Sequence, residues 1–165
     1  GSSCFTTDHL CSYVQSRTYR APEVVLGLKY DQKVGVWSLG CILAELWTGK
    51  VLFVNKSIQT MLARIIGLCG EFPKDMLAKG QFTPKFFTKD GKLFEKNRKT
   101  GSISFLVPKR TTLASRLKCS DPLFVDFIKQ CLQIDPRKRP TIDQLLQHPW
   151  ILCRDYPPVV PEELL

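Results

Sequence analysis

The segment at residues 34–47, VGVWSLGCILAELW, decides the fold because it is apolar on every face. Ten of its residues are apolar, and Glu45 is its one charged residue. A helix with this pattern is buried on all sides, so the sequence predicts a central helix surrounded by the rest of the protein. The helix is expected to end at Thr48 and Gly49, because glycine readily adopts the left-handed conformation of a C-cap. Its length of 14 residues is too short to cross a bilayer, which takes about 20.

Three further helices are expected around this central helix. Residues 57–69 place apolar side chains along one face, and Ser57 precedes them as an N-cap. Asp121 followed by Pro122 is a typical helix start, and residues 141–144, TIDQ, fit a capping box. No strand of normal length is expected after the first 30 residues. The fold class indicated is therefore mostly α, and the proline-rich residues 152–165 are expected to form an extended tail.

Length and composition exclude several classes of protein. The chain has 165 residues, 44% of them hydrophobic and 24% charged, which is typical of one globular domain or a large part of one and excludes disorder throughout. There is no membrane-spanning run and no signal peptide among the first ten residues, so an intracellular protein, cytoplasmic or nuclear, is expected. The seven cysteines form no C-x-x-C pair, which argues against a zinc site or a disulfide framework.

Most of the positive charge lies in one part of the chain, within a basic insert at about residues 70–120. The whole chain has a net charge of +9, and residues 85–118 carry ten basic residues against two acidic ones, a net charge of +8. A solvated, irregular surface insert is the favoured interpretation. An acidic protein partner and a nucleic acid are the alternatives, and the lack of a recognised nucleic-acid motif disfavours the second.

Three separate blocks of sequence carry a resemblance to a known family. They are residues 13–23, YVQSRTYRAPE, residues 37–42, WSLGCI, and residues 135–141, DPRKRPT. In this order and spacing they resemble the activation segment and C-terminal lobe of a eukaryotic protein kinase. The opening GSSC and the run at residues 13–19 are most similar to the dual-specificity tyrosine-regulated kinases and their plant and protist relatives. The resemblance covers residues 1–151, which divide into an activation segment at 1–23 and a helical lobe at 24–151.

This resemblance implies roles for residues of the activation segment. Tyr13 matches the tyrosine that these kinases phosphorylate on themselves, and Arg17 and Arg20 match the positions that hold its phosphate. A phosphotyrosine carries about −1.5 to −2 charges, so two such arginines would order the loop. Ser16 matches the hydroxyl that, in Ser/Thr kinases, contacts the catalytic loop beside the substrate site.

The resemblance also implies one structural ion pair and shows one departure. Glu23 matches an acid that pairs with an arginine far along the chain, which is Arg139 here; the pair is structural and not catalytic. Gly35 stands where the family carries an aspartate, two residues before Trp37, that holds the backbone of the catalytic loop. The sequence leaves open whether that loop is loosened or whether Gly35 is compensated or erroneous.

The family's catalytic residues have no match in this chain. Gly1 matches the glycine that ends the Asp-Phe-Gly or Asp-Leu-Gly motif, so the glycine-rich loop, the strand lysine, the His-Arg-Asp motif and the magnesium-binding aspartate would all precede it. No ATP-binding, metal-binding or catalytic residue is therefore assigned here. The isolated 165 residues are expected to be inactive, and aggregation-prone or molten because the central helix would lack part of its cover.

The function implied by the resemblance is phosphorylation of Ser and Thr in protein substrates, with ATP and Mg²⁺, and autophosphorylation at Tyr13. This chain would supply the activation loop and the substrate platform. The alternative is a non-catalytic pseudokinase or scaffold fragment that binds protein partners through the helix at residues 57–69 and the basic insert.

Overall fold

Eight α-helices and one small sheet make up residues 16–152, the part of the chain that the computed structural model describes. The helices are α1 (Pro22–Leu26), α2 (Lys33–Thr48), α3 (Ile58–Cys69), α4 (Lys74–Lys79), α5 (Leu113–Leu117), α6 (Pro122–Cys131), α7 (Ile142–Leu145) and α8 (Pro149–Leu152). The strands β1 (Phe94–Lys96) and β2 (Ile103–Phe105) pair antiparallel, and short 3-10 turns occupy Arg17–Tyr19 and Thr83–Lys85. About half of the described residues are helical, so the fold is mostly α as predicted.

The helix boundaries follow the capping signals in the sequence. Gly49 has a φ of 69° and ends α2 by donating its N–H to the Glu45 carbonyl oxygen. Ser57 begins α3 through a reciprocal capping box with Thr60. Asp121 accepts hydrogen bonds from two backbone amides in the first turn of α6, and residues 141–144 form the capping box expected before α7. These local predictions are confirmed, because a cap depends only on side chains within one helical turn.

Helix α2 is buried on one face and exposed on another. Val36, Trp37, Cys41 and Ala44 are almost completely buried, and α6 packs against this face. Leu46, by contrast, is 75% exposed. The prediction that the whole helix is surrounded is therefore wrong for the described part of the chain, because residues 16–152 contribute no element that covers its second face.

The first half of the basic insert belongs to the hydrophobic core. Phe72, Phe86, Phe87 and Leu93 are buried, and Phe72 contacts Phe87 edge to face with ring centroids 5.8 Å apart. The prediction of an irregular, solvated insert is wrong for this half, since isolated aromatic residues without periodic spacing give no sequence signal of burial. Each strand of the hairpin that follows has three residues, so no strand of normal length occurs in the described range.

The described cysteines that are buried serve as packing residues. Cys41 and Cys131 are free thiols in the core between α2 and α6. Burial raises the pKa of the Cys131 thiol to about 12, so it stays protonated and unreactive at neutral pH. None of the described helices combines the length and the apolar character that crossing a bilayer requires.

Two glycines of α2 have opposite surroundings. A Cβ atom added at Gly35 would meet nothing within 4 Å, whereas one added at Gly40 would lie 2.7 Å from the Cβ of Cys131 on α6. Gly40 therefore permits the close approach of α2 and α6. Gly35 has no such packing role within the described residues.

These surroundings predict opposite effects of the same substitution. Gly35→Ala should raise the free energy of unfolding by about 0.5–1 kcal/mol, because alanine loses less backbone entropy in a helix. Gly40→Ala should lower it by about 1–3 kcal/mol through overpacking. Urea unfolding followed by circular dichroism measures both, and equal effects of the two substitutions would contradict the packing described here.

Candidate functional site

The end of the predicted activation segment is held on α2 by two side-chain hydrogen bonds. Ser38 donates its hydroxyl to the Tyr19 carbonyl oxygen at 2.8 Å, and the Tyr19 hydroxyl donates to Glu45 Oε2 at 2.9 Å. The bond to Glu45 is the main reason why the pKa of Tyr19 is raised above its usual value. Glu45, the one charged residue in the apolar segment 34–47, is thus explained by its contact with the 3-10 turn Arg17–Tyr19.

The predicted phosphate-binding arginines differ in exposure. Arg17 lies exposed at the start of the turn, as does Ser16, whose carbonyl oxygen accepts the Tyr19 N–H at 3.0 Å. Arg20 is only 9% exposed and directly precedes the buried start of α1. Tyr13 lies outside the described residues. The structure therefore brings the two arginines to one turn but directs only Arg17 toward solvent.

Arg17 shares a cavity with basic residues that the sequence analysis did not connect with it. The cavity has a volume of about 660 Å³ and is lined by Arg17, Lys56, Lys96 and Arg98, with Glu95 as the one acidic residue among its lining. Lys56 comes from the loop before α3, and Lys96 and Arg98 come from the hairpin of the basic insert. An excess of positive charge beside the activation segment suits an anionic group. Proximity of these residues depends on how the insert folds back, so sequence spacing gave no signal of it.

Glu23 and Arg139 form a buried, bidentate ion pair. Arg139 Nη1 lies 2.7 Å from Glu23 Oε1 and Nη2 lies 3.0 Å from Oε2, and both side chains are almost completely buried. The other guanidinium protons go to the carbonyl oxygens of Lys33, Gln133 and Ile134. All five guanidinium N–H groups thus have acceptors, which is what a buried arginine requires.

The ion pair connects three distant segments. Glu23 is in α1, Lys33 begins α2, and Gln133 to Arg139 form the loop between α6 and α7. The guanidinium carbon of Arg139 lies 5.3 Å from the ring centroid of Trp37, within the range of a cation–π contact. Residues 16–23, the described part of the predicted activation segment, are therefore attached at their C-terminal end to the helical core.

Trp37 extends this cluster toward the loop before α3. Its ring stacks on Phe53 with centroids 5.7 Å apart, and Trp37 Nε1 finds no acceptor among residues 16–152. In the same loop, Asn55 donates to the Thr18 hydroxyl at 3.2 Å. The turn that carries Arg17 is thus fixed on one side by α2 and on the other by the loop at residues 50–57.

Gly35 lies exposed in the first turn of α2, facing open space within the described range. A Cβ atom would fit there without a clash, so the packing of residues 16–152 does not explain the glycine.

The described residues offer no cluster of potential metal ligands. Residues 16–152 contain no group of three or more His, Cys, Asp or Glu side chains placed to hold a metal ion. The cavity beside Arg17 is mainly basic, and Glu95 is the one carboxylate, the ligand type that Mg²⁺ prefers, among its lining. No step of a reaction is therefore assigned to a metal or nucleotide on these residues.

Comparisons with a family model and with known proteins identify the same family for this chain. The family model described as protein kinase domain matches residues 1–151. The chain is 40% identical over 151 residues to human dual specificity tyrosine-phosphorylation-regulated kinase 4, covering 92% of this chain and 29% of the relative. It is 39% identical over 166 residues to mouse dual specificity tyrosine-phosphorylation-regulated kinase 3, covering 92% of this chain and 28% of the relative.

A relative from fission yeast, Schizosaccharomyces pombe, is named as a serine/threonine-protein kinase, ppk5. It is 38% identical over 152 residues, covering 92% of this chain and 18% of the relative. The chain thus spans less than a third of the length of these three curated relatives.

The buried ion pair predicts that substitutions at two arginines close in sequence change the free energy of unfolding by very different amounts. Arg139→Met should lower the free energy of unfolding by about 3–5 kcal/mol, because it leaves the Glu23 carboxylate buried without a partner. Arg137→Met is the matched control, since Arg137 pairs with Asp75 and Asp135 but is largely exposed, and its loss should be much smaller. Urea unfolding of both variants measures the difference. Equal losses would show that Arg139 has no special role.

The loop that carries Arg139 also predicts a pH dependence. The pKa of Asp135 is lowered from 3.8, first by its hydrogen bond to Arg137. A lowered folded-state pKa means that the charged carboxylate stabilises the folded state above pH 3.8 and that this contribution disappears as the pH falls through the folded-state value. The stability difference between wild type and Asp135→Asn should therefore be full at neutral pH and shrink in acid. A difference that stays constant from neutral to strongly acidic pH would contradict this assignment.

Proposed function

The chain belongs to the protein kinase family, and on that premise we propose that it forms the activation segment and C-terminal lobe of a dual-specificity kinase. This kinase phosphorylates serine and threonine in other proteins and phosphorylates itself on Tyr13. The activation segment is residues 1–23 and the helical lobe is residues 24–151. The observation that carries this proposal is the buried contact between Glu23 and Arg139, because it holds the end of the activation segment against the central helix.

Residues 16–20 form the substrate side of this arrangement. Ser38 binds the backbone carbonyl oxygen of Tyr19, and Glu45 and Asn55 bind the hydroxyls of Tyr19 and Thr18. The side chains of Ser16 and Arg17 remain exposed. A rigid backbone with exposed polar side chains suits the binding of an extended peptide next to a reacting hydroxyl. Ser16 in this position favours a serine or threonine acceptor.

Phosphorylation of Tyr13 is the proposed means of activation. A phosphate of about −1.5 to −2 charges gains charge-assisted hydrogen bonds from arginine. Arg17 is exposed to receive it, and Lys56, Lys96 and Arg98 add positive charge in the same cavity. These contacts would order the segment in front of the turn.

ATP and Mg²⁺ are implied for the complete enzyme by the family. Since residues 16–152 offer no metal cluster and the chain carries no glycine-rich-loop or His-Arg-Asp motif, we propose that the 165 residues alone do not transfer phosphate. Their part is to bind and orient the protein substrate.

A non-catalytic scaffold is the second candidate, and Gly35 is the observation that favours it. The family's aspartate at this position holds the catalytic loop, and Gly35 has no side chain to do so. A Cβ at Gly35 would meet no atom within 4 Å among residues 16–152, so Gly35→Asp is a suitable variant for testing this candidate.

Mass spectrometry of the protein produced in bacteria, from the longest reading frame that contains this chain, tests the proposal. A phosphate on Tyr13 is expected without any other kinase present. Tyr13→Phe should lower phosphorylation of a Ser-containing protein substrate by about 10-fold or more, because the turn at Arg17 would lose its ordering contact. Tyr156→Phe, which lies outside the matched residues 1–151, is the control and should have no effect.

The same assay separates the two candidates. Gly35→Asp should raise the rate of phosphorylation more than Gly35→Ala, because helix propensity alone would affect both variants similarly. A protein without phosphotransfer, both as wild type and as Gly35→Asp, would overturn the kinase proposal and favour the scaffold. A protein that phosphorylates substrate but never Tyr13 would overturn the activation mechanism alone.

A further inference from the structure

A second basic cavity lies between α3, the loop before it and residues 106–116 of the basic insert. Its volume is about 480 Å³, and we call it the basic groove. Four basic residues and no acidic residue line it; they are Arg64, Lys109, Arg110 and Arg116. Apolar side chains, among them Leu68, Leu106 and Val107, form most of the rest of its walls. The groove is separate from the cavity that contains Arg17.

Gly67 holds the insert directly against α3. Any Cβ at this position would collide with the carbonyl oxygen of Lys109, and the Thr111 N–H donates to the Gly67 carbonyl oxygen at 3.0 Å. Residues 109–111 therefore lie on the backbone of α3 itself. This contact gives Lys109 and Arg110 defined positions beside Arg64, which a freely solvated loop would not do.

The positive charge in the groove is only partly compensated. Arg110 pairs with Glu71 at 3.0 Å, and Arg116 donates to the Leu52 carbonyl oxygen at 3.2 Å. Arg64 and Lys109 make no ion pair within the described range, and both are exposed. The adjacent Val107 is 89% exposed. Uncompensated cations therefore stand next to exposed apolar surface.

We propose that the basic groove binds an acidic linear segment of a partner protein. The carboxylates of this segment pair with Arg64 and Lys109, and one aliphatic side chain packs against Leu68, Leu106 and Val107. Each part of the proposed ligand matches a feature of the groove: the carboxylates match its basic lining without acidic residues, and the aliphatic side chain matches its apolar walls. The pairing of charges and the burial of one aliphatic group together favour this ligand over a simple anion.

The lining of the groove disfavours a nucleic acid. Single-stranded nucleic acids bind to basic grooves that also offer aromatic rings on which the bases stack. Phe53 is the one aromatic residue in the lining, and it is 2% exposed because its ring is stacked on Trp37. The exposed walls are aliphatic, which suits a leucine or valine side chain better than a base.

The groove shares the loop at residues 50–57 with the activation segment. Leu52 and Phe53 line the groove, while Asn55 in the same loop contacts Thr18. A segment bound in the groove would therefore keep its protein close to the turn at Arg17, which raises the effective concentration of a nearby acceptor. The binding itself does not depend on phosphotransfer, so it can be tested without ATP, and its failure would leave the proposed kinase function standing.

Fluorescence polarisation with a labelled peptide, in which one leucine is flanked by glutamates, tests the proposal on the longest reading frame that contains this chain. The double variant Arg64→Glu/Lys109→Glu should weaken binding by about 10-fold or more, since two attractive contacts become repulsive. The matched control Lys89→Glu/Lys99→Glu changes the net charge equally at exposed lysines of the same insert that do not line the groove, and should weaken binding by less than about 3-fold. Circular dichroism checks that all variants are folded.

The apolar part of the groove is tested with Val107→Ser, an exposed position whose change should not affect folding. It should weaken binding of the leucine peptide by about 3- to 10-fold and leave a peptide with serine in place of leucine unaffected. Equal weakening by the two charge-reversed double variants, or equal binding of a peptide with lysines in place of glutamates, would overturn the proposal. Displacement of the peptide by a single-stranded RNA homopolymer that binds more tightly, through Arg64 and Lys109, would overturn it in favour of nucleic acid.

Discussion

Two opposite charges, on Glu23 and Arg139, meet in the interior of this chain, where neither charge would be stable alone. Removing an ion from water costs several kcal/mol even after the protein relaxes. The cost is offset here because the carboxylate is held by two hydrogen bonds and the guanidinium group has acceptors for all five N–H groups. These hydrogen bonds allow little displacement of either side chain. The pair therefore sets the positions of α1, the start of α2 and the loop at residues 133–139 relative to one another.

The remaining contacts of residues 16–20, in the predicted activation segment, follow from that constraint. With α1 attached to the core, the turn Arg17–Tyr19 lies against α2, where Ser38 and Glu45 bind Tyr19. The stacking of Trp37 on Phe53 attaches α2 to the loop before α3, and Asn55 in this loop contacts Thr18. The candidate site is thus built on rigid elements. The side chains that remain exposed in it take no part in these buried contacts.

The basic insert has two different roles in the structure. Phe72, Phe86 and Phe87 join the core, and several of its basic residues line two separate cavities. Lys96 and Arg98 lie near Arg17, whereas Lys109, Arg110 and Arg116 line the basic groove. A net charge of +8 over residues 85–118 says that an anion can be attracted. The net charge does not show where the anion would bind. The division of the basic residues between the two cavities depends on Gly67 and on the fold of the hairpin.

The sequence alone determined what depends on near neighbours or on family resemblance. Helix starts at Ser57, Asp121 and Thr141 could be predicted because each cap acts within one turn, and the family could be identified from three ordered blocks of residues. Only the tertiary structure decided which face of α2 is buried and that Phe72, Phe86 and Phe87 belong to the core. It also decided which basic residues meet in each cavity. An apolar helix has the same hydrophobic pattern on every face, and aromatic residues without periodic spacing do not indicate which side of the chain is buried. The burial of both is therefore set by long-range packing, which no local sequence pattern encodes.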